Sequence, residues 1–268
     1  MSKLVVSTGE RNADGQVLSV TPQSAGWEYV GFAVYNLLPG QTLDIEANEQ
    51  ETCIVLLSGK ATVVAGEKSF TELGGRSDVF DGPPTAVYVP HKTAFSITPE
   101  TDLEVALCTA PGGGDYEPRL IAPGEHPVEI RGSGTNTRHV QDILPESAPA
   151  HSLLVVEVIT PAGHWSSYPP HKHDVDALPE ESLLEETYYH RLRPKQGFAF
   201  QRVYTDDRSL DETVSVHDGD CVMVPRGYHP VGAPHGYDLY YLNVMAGPQR
   251  VWVFRDDPKH AWISRRAV

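Results

Sequence analysis

The chain has 268 residues and is acidic, with 36 Asp and Glu against 21 Lys and Arg and a formal net charge of −15. Nucleic acids and anionic membranes bind basic patches, so this balance argues against both as partners. Because no apolar run approaches the ~20 residues of a membrane-spanning helix and the N-terminus lacks a signal-peptide core, we expect a cytoplasmic protein. The three cysteines, odd in number and set among apolar residues, predict buried reduced thiols.

The first half of the chain contains short β-branched and aromatic runs separated by proline and glycine, which is typical of strands and turns. Strands are predicted at residues 27–34, 52–57, 60–64, 86–90, 94–97 and 103–107. The dipeptide Ser58-Gly59 predicts a hairpin that pairs the second of these strands with the third. The Pro-rich, charge-mixed stretch from residue 110 to about 140 is interpreted as a connector.

The second half of the chain has the same pattern of short apolar runs separated by turn residues. Strands are predicted at residues 153–159, 186–192, 197–204, 213–216, 221–224, 231–232, 239–245 and 250–254. The segment 174–182 is a polar insertion, within which residues 178–181 predict a loop or one helical turn. Many short strands without a convincing helix period indicate an all-β chain built from antiparallel sandwiches or barrels.

An internal repeat is detected when the sequence is shifted by 135 residues. The shift superimposes residues 51–52 on 186–187, 89–90 on 224–225 and 103–107 on 238–242. We therefore predict two tandem antiparallel β-barrel or jelly-roll domains, at residues 1–125 and 126–268. Position 229 is histidine but its counterpart is Ala94, so we expect the first domain to lack metal ligands.

Four side chains in the second half form a candidate metal site. His171 and His173 are separated by one residue, so on a β-strand both imidazoles point to the same side. Glu186 and His229 would complete a set of three nitrogens and one oxygen. Neutral imidazoles with a carboxylate are ligands for Zn²⁺, Mn²⁺, Fe²⁺ or Ni²⁺, and they leave coordination positions for water or substrate.

The choice of the carboxylate depends on the repeat. Glu181 or Glu185 could take the place of Glu186, but Glu51 occupies the corresponding strand start in the first half. The repeat therefore favours Glu186.

Strand alternation from Glu186 sends Tyr188 and His190 to the same face. A phenol and an imidazole beside a metal are candidates for proton transfer, with a packed core aromatic and a hydrogen-bonded histidine as the alternatives. Arg202 and Arg226 lie on or near the same strands and are candidates for binding a substrate carboxylate, with a solvated surface charge as the alternative.

The order HxH, Glu, GxxxxxPxG, His resembles the cupin superfamily. It departs from the usual pattern, because twelve residues separate His173 from Glu186 and the segment from Pro225 to His229 is one residue short. These departures and two longer strings are similar to one bicupin family, the 5-deoxy-glucuronate isomerases, which are related to the 4-deoxy-hexuronate isomerases. The strings are PPHKHDVDALPEESLLEETYYHRL and VPRGYHPVGAPHGYDLYYLNVMAGP.

The resemblance implies a metal-dependent aldose–ketose isomerase of inositol catabolism that converts 5-deoxy-D-glucuronate to 5-dehydro-2-deoxy-D-gluconate through a metal-stabilised cis-enediol. It also implies His171, His173, Glu186 and His229 as the ligands of one divalent transition metal and a small sugar acid as the partner. Two alternatives stay open, a cupin-type Fe(II) dioxygenase and a non-catalytic sugar-binding cupin. Sheet edges left exposed in such a fold predict a homo-oligomer.

Overall fold

The computed structural model describes residues 2–265, whose regular structure is almost entirely β-strand. The first eleven strands are β1 (Val5–Val6), β2 (Gln16–Val20), β3 (Gly31–Leu37), β4 (Leu43–Ile45), β5 (Gln50–Ser58), β6 (Lys60–Ala65), β7 (Lys68–Gly74), β8 (Thr85–Val89), β9 (Phe95–Pro99), β10 (Leu103–Pro111) and β11 (Arg119–Ile121). The next fourteen are β12 (Glu129–Arg131), β13 (Arg138–Leu144), β14 (Leu154–Thr160), β15 (Trp165–Ser166), β16 (His171–Lys172), β17 (Asp174–Ala177), β18 (Glu181–Leu183), β19 (Glu185–Arg193), β20 (Ala199–Tyr204), β21 (Asp211–Val216), β22 (Cys221–Val224), β23 (Val231–Gly232), β24 (Asp238–Ala246) and β25 (Arg255–Asp256).

Helical structure in this part of the chain is confined to α1 (Pro22–Ala25) and two 3-10 turns, Gly134–Asn136 and Ala261–Arg265. None of these helices is long and apolar enough to cross a membrane. The prediction of a nearly all-β chain is confirmed. All three cysteines are buried thiols outside any disulfide, as predicted.

Cα proximity divides the described chain into two compact units. The N-terminal unit comprises residues 8–127 and 142–155, and the C-terminal unit comprises residues 2–7, 128–141 and 156–265. The predicted boundary after residue 125 separates most of one unit from most of the other, while segments 2–7 and 142–155 group with the unit on the far side of it.

The N-terminal unit is built from two antiparallel sheets. Their strand orders are β11-β8-β5-β10-β3-β2 and β4-β9-β6-β7. One buried apolar cluster draws on both sheets, for example on Ile54 and Leu56 from the first and on Val63 and Ile97 from the second. These residues alternate along their strands, because every second side chain points inward. Burying each such side chain contributes about 1.5–3 kcal/mol to stability.

The predicted hairpin at Ser58-Gly59 is wrong, although both of its strands exist. β5 pairs with β10 and β8, whereas β6 pairs with β7 and β9. The chain therefore passes from one sheet to the other at Gly59. This glycine has a φ of +89°, and a Cβ there would lie 2.1 Å from the carbonyl oxygen of Asp102, so only glycine fits the crossing.

The C-terminal unit repeats this topology. Its largest sheet has the order β1-β22-β19-β24-β14-β13-β12, in which β22-β19-β24-β14 matches β8-β5-β10-β3. Its second sheet, β15-β23-β20-β21, matches β4-β9-β6-β7. Eight strands of each half thus take the same places in the same chain order.

The main difference between the halves is an insertion before β19. Residues 167–184 lie between β15 and β19, whereas only residues 46–49 join β4 to β5. The predicted loop or helical turn at 178–181 is confirmed by a turn at residues 178–180. On either side of it, β17 and β18 form an antiparallel pair that the sequence did not predict. The predicted strand at 250–254 is wrong: regular pairing begins at β25, which pairs with β16.

The register of the repeat also differs from the predicted shift of 135. Thr52 pairs with Val89, a core residue, so Thr52 faces the interior together with Ile54, and Glu51 faces the other way. The Glu51 carboxylate accepts hydrogen bonds from the backbone N–H groups of His151, Ser152 and Leu153 and from the Tyr88 hydroxyl. Glu186 faces the interior of its own unit. The residue at the start of β5 that also faces inward is Thr52, so Thr52, rather than Glu51, is the structural counterpart of Glu186.

Candidate metal centre

Three side chains of the C-terminal unit converge with the chemistry of a metal site. His173 directly follows β16, Glu186 is in β19, and His229 is in the loop between β22 and β23. One ligand atom from each lies within 4.8 Å of the other two, and all three side chains are buried. The site therefore combines the inserted segment, a central strand and a loop that lie far apart in sequence.

Both imidazoles of this cluster direct Nε2 toward the carboxylate. His173 Nδ1 lies 3.0 Å from the carbonyl oxygen of Leu184, and His229 Nδ1 lies 2.8 Å from that of Gly227. A carbonyl only accepts, so each Nδ1 carries a hydrogen, and Nε2 is the nitrogen that can offer a lone pair to a metal.

The two Nε2 atoms lie 3.1 and 3.2 Å from the same oxygen, Glu186 Oε2. His229 Nε2 is buried without a hydrogen-bond partner among the described residues. Two imidazole nitrogens and a carboxylate oxygen that meet in a buried space form a set of ligand atoms suited to a divalent cation. Backbone carbonyls that fix the Nδ1–H tautomer are the usual support of metal-binding histidines, so these residues fit a divalent cation.

The fourth predicted ligand, His171, lies beside this cluster. Its ring centre is 4.9 Å from that of His229 and 6.4 Å from that of His173, and its other side contacts Phe254 at 4.6 Å. Burial, with the neighbouring His229 and His173, lowers the pKa of His171 well below its usual range. The ring is therefore neutral, as a metal ligand must be.

A buried ion cluster connects the two segments that carry histidines. Lys172, between His171 and His173, contacts the carboxylates of Asp174 and, at 3.0 Å, Glu181. The other oxygen of Asp174 accepts the backbone N–H of Gly227 at 2.8 Å, two residues before His229. Glu181 is thus engaged by Lys172, while Glu186 is the glutamate in the cluster.

A pocket opens beside the cluster, with about 480 Å³ of space free of protein atoms. Glu186, His171, Tyr188, Ser167 and Tyr241 all contribute to its wall. The Tyr188 hydroxyl lies 3.0 Å from Ser167 Oγ. Burial and the charge of Glu186 raise the pKa of Tyr188 well above its usual value, so the phenol keeps its proton and can act as a hydrogen-bond donor.

His190 does not line this pocket. It is fully buried behind Tyr188, with the two rings stacked at 5.9 Å. Its Nε2 lies 3.0 Å from Gln201 Oε1, and burial lowers the pKa of the imidazole to about 4. His190 is therefore neutral at physiological pH, and Tyr188 stands between it and the pocket.

The structure does not bring Arg202 and Arg226 into the pocket. In β20, Gln201 faces inward to His190, so the next residue, Arg202, faces outward and pairs with both oxygens of Asp211 at 2.8 and 2.9 Å. Arg226 is exposed and lies 3.4 Å from Ser209 Oγ. Their role in substrate binding remains a sequence prediction.

Two other arginines line the pocket instead, Arg131 at the end of β12 and Arg138 at the start of β13. Sequence reasoning missed them because they lie in the stretch interpreted as a connector. Alternation gave no signal there, because Arg138 and the next residue are both polar before the apolar Val140.

Solved structures share this fold. The structure of Lactobacillus farciminis oxalate decarboxylase in a formate complex matches with a TM-score of 0.68 and 15% identity, over 97% of this chain and 90% of that one. Identity this low shows the fold alone. The chain is thus a cupin-like β-protein, and its candidate metal centre is a buried imidazole–carboxylate cluster.

Relatives with much higher identity define the family. The KduI/IolB family profile matches residues 4–263. The 5-deoxy-glucuronate isomerase of Geobacillus kaustophilus (strain HTA426) is 58% identical over 264 residues, 98% of this chain and 96% of that protein. The crystal structure of an IolB-like protein from Salmonella typhimurium LT2 has a TM-score of 0.95 and 52% identity, over 97% and 98% of the two chains. The chain belongs to the KduI/IolB family and is an isomerase, which confirms the resemblance found in the sequence.

Proposed function

We propose that this protein is a metal-dependent aldose–ketose isomerase that converts 5-deoxy-D-glucuronate to 5-dehydro-2-deoxy-D-gluconate in inositol catabolism. The observation that carries the proposal is the convergence of the Nε2 atoms of His173 and His229 on Glu186 beside an open pocket. The choice of substrate is supported by relatives named for this reaction, which are more than 50% identical over nearly the whole chain.

The architecture belonging to this proposal is a bicupin, with an N-terminal barrel at residues 1–125 without metal ligands and a C-terminal barrel at 126–268 that carries the site. The common strand order of the two halves supports it. A cytoplasmic location and a homo-oligomeric state are part of the same prediction.

The ligand set of this proposal is His171, His173, Glu186 and His229, holding one Zn²⁺, Mn²⁺, Fe²⁺ or Ni²⁺ ion. When bound, such a cation acidifies the proton next to a substrate carbonyl and stabilises negative charge on the adjacent oxygens. The Nδ1–H bonds to Leu184 and Gly227 keep both Nε2 lone pairs directed at the ion.

Tyr188 and His190 have different roles in this site. The protonated Tyr188 hydroxyl, with Ser167 Oγ as its neighbour, donates a hydrogen bond to the substrate oxygen on which negative charge develops, while a base carries the carbon-bound proton from the carbon next to the carbonyl to the former aldehyde carbon. His190, fixed by Gln201, packs behind the phenol and keeps its ring in place. An aldose–ketose isomerisation needs neither a redox cofactor nor a covalent nucleophile.

The test is to incubate metal-loaded protein with 5-deoxy-D-glucuronate in D₂O and to follow the product by NMR. We expect the ketose, with deuterium at the former aldehyde carbon, and loss of conversion in His171→Ala but not in the exposed control His217→Ala. Absence of conversion with every candidate metal, or unchanged conversion by His171→Ala, would overturn the proposal. Oxygen uptake at the turnover rate would favour the dioxygenase alternative.

A further inference from the structure

Two arginines face each other in the pocket. Arg131 and Arg138 are directly opposite partners in the antiparallel pair β12–β13, and both side chains line the pocket that Glu186 and His171 line. Like charges directly opposite across a sheet destabilise it, because their Cβ atoms are only about 5 Å apart. An anion bound between two such guanidinium groups would attract both of them and so replace their repulsion by a net stabilising interaction.

Arg138 lacks the acidic partner that other arginines of the unit have. Arg131 contacts Glu129 at 2.8 Å, Arg191 contacts Asp218 at 2.9 Å, and Arg193 contacts Asp238 at 3.0 Å. Within residues 2–265, Arg138 makes one hydrogen bond, of 3.3 Å to the carbonyl oxygen of Asn136, and no ion pair. A partly buried guanidinium without a counterion is costly, and it is notable in a chain with 36 acidic residues.

The charge of Arg138 acts on the pocket itself. Burial, together with the charge of Arg131, lowers the pKa of Arg138, and Arg138 in turn contributes to the lowered pKa of His171. The wall of the pocket therefore combines two kinds of group, the metal-site side chains His171 and Glu186 and a pair of guanidinium groups. A ligand that suits both kinds of group carries oxygens for a metal and, separately, a carboxylate.

We propose that Arg138, with Arg131 opposite it, binds the carboxylate of the sugar-acid substrate and so determines which end of the molecule reaches the metal ligands. This assignment rests on the proposed function, since it takes the substrate from it. A planar guanidinium binds a carboxylate through two parallel hydrogen bonds, and this fixes orientation as well as position. With the carboxylate held at Arg138, the aldehyde end of the substrate would be left free for Glu186 and Tyr188, which line the same pocket.

The test compares Arg138→Met with Arg138→Lys and with Arg193→Met, a control arginine of the same unit that is outside the pocket and paired with Asp238. With 5-deoxy-D-glucuronate, we expect Arg138→Met to lower kcat/KM about a hundredfold, chiefly through KM, and Arg138→Lys to restore part of it. With the neutral 6-amide of the same sugar, Arg138→Met and wild type should differ less than threefold. Arg193→Met should match wild type on both.

A second measurement separates this inference from the proposed function. Calorimetry of metal-loaded protein with D-gluconate and with the uncharged D-sorbitol needs no turnover. Gluconate should bind wild type more tightly than sorbitol does, and Arg138→Met should abolish the difference while metal content stays the same. If wild type is inactive on 5-deoxy-D-glucuronate, the proposed function fails while the binding result still decides the role of Arg138. Equal losses for acid and amide, or an unchanged gluconate preference, would overturn it.

Discussion

At the residue scale, the chemistry of the pocket depends on protons that burial holds in place. The Tyr188 phenol is fully buried beside Glu186 and keeps its proton, so it can donate but not accept as a phenolate. Tyr188→Phe removes this donor and leaves the packing of the ring.

We therefore expect Tyr188→Phe to lower kcat by about 10²–10³-fold, since one positioned proton donor contributes that much. Metal content and melting temperature should stay unchanged. Tyr237→Phe, a partly exposed tyrosine of the same unit, is the control. A kcat within threefold of wild type would remove Tyr188 from the proposed mechanism.

His190 makes a prediction about stability and pH. Its folded pKa is about 4 and its unfolded pKa about 6.5, so below pH 6.5 the unfolded chain binds a proton that the folded chain excludes. The contribution of His190 to stability is fully present above pH 6.5 and is lost as pH falls toward 4, by about 3 kcal/mol in total.

His190→Gln preserves a donor to Gln201 and does not titrate. The free energy of unfolding from urea titrations should therefore fall less steeply between pH 6.5 and 4 in His190→Gln than in wild type. The other histidines titrate in both proteins and cancel in the comparison. Parallel curves would show that His190 is protonated in the folded state across this range.

At the element scale, one residue of register decides what a glutamate does. Glu51 and Glu186 occupy similar starts of the corresponding strands β5 and β19, yet they lie on opposite faces. Side chains alternate with period two, so a shift of 134 rather than 135 places Thr52 at the inward position. Glu51 instead binds backbone N–H groups of residues 151–153.

Glu51→Gln should therefore cost stability without affecting metal. Each carboxylate oxygen accepts two hydrogen bonds, and an amide NH₂ in place of one oxygen would face two donors. We expect a loss of about 2–4 kcal/mol in urea unfolding, with normal metal content. Glu49→Gln, an exposed residue paired with Lys92, should change stability by less than about 0.5 kcal/mol. Lower metal content in Glu51→Gln would contradict this assignment.

At the scale of the whole molecule, the same strand order occurs twice in the chain, and only the second copy has an insertion, which lies between β15 and β19 and carries His171 and His173. The insertion brings His171, Lys172 and His173 next to the loop of His229, and Asp174 connects the two segments. Metal binding should therefore stabilise the folded protein, because the unfolded chain does not assemble these ligands.

A cation at 100 times its dissociation constant would add about 2.7 kcal/mol to the free energy of unfolding. We expect a chelator to lower the melting temperature and the metal to restore it in wild type. Glu186→Gln, which removes the anionic ligand, should melt at the same temperature with and without metal. A metal-dependent shift of equal size in Glu186→Gln would place the ion elsewhere.

Local chemistry explains which parts of the sequence prediction succeeded. Apolar runs such as 52–57 and 221–224 predicted strands because burial on a sheet requires that composition. The spacing of His171 and His173 predicted a shared direction because side chains alternate along a strand, and both rings lie beside that of His229. The sequence did not predict strands in short segments with few apolar residues. Three of these segments, β17, β18 and β25, are strands because they pair with neighbouring segments and not because of their composition.

The sequence by itself determined the all-β class, the buried reduced cysteines, the family and three residues of a cluster that could hold a metal, His173, Glu186 and His229, because these depend on composition, alternation and motif spacing. Only the tertiary structure decided that β5 and β6 lie in different sheets, that Glu51 faces away from the position of Glu186, and that Arg138 rather than Arg202 lines the pocket. Each of these depends on which strands pair and in which register, and pairing between distant segments leaves no local mark on the residues themselves.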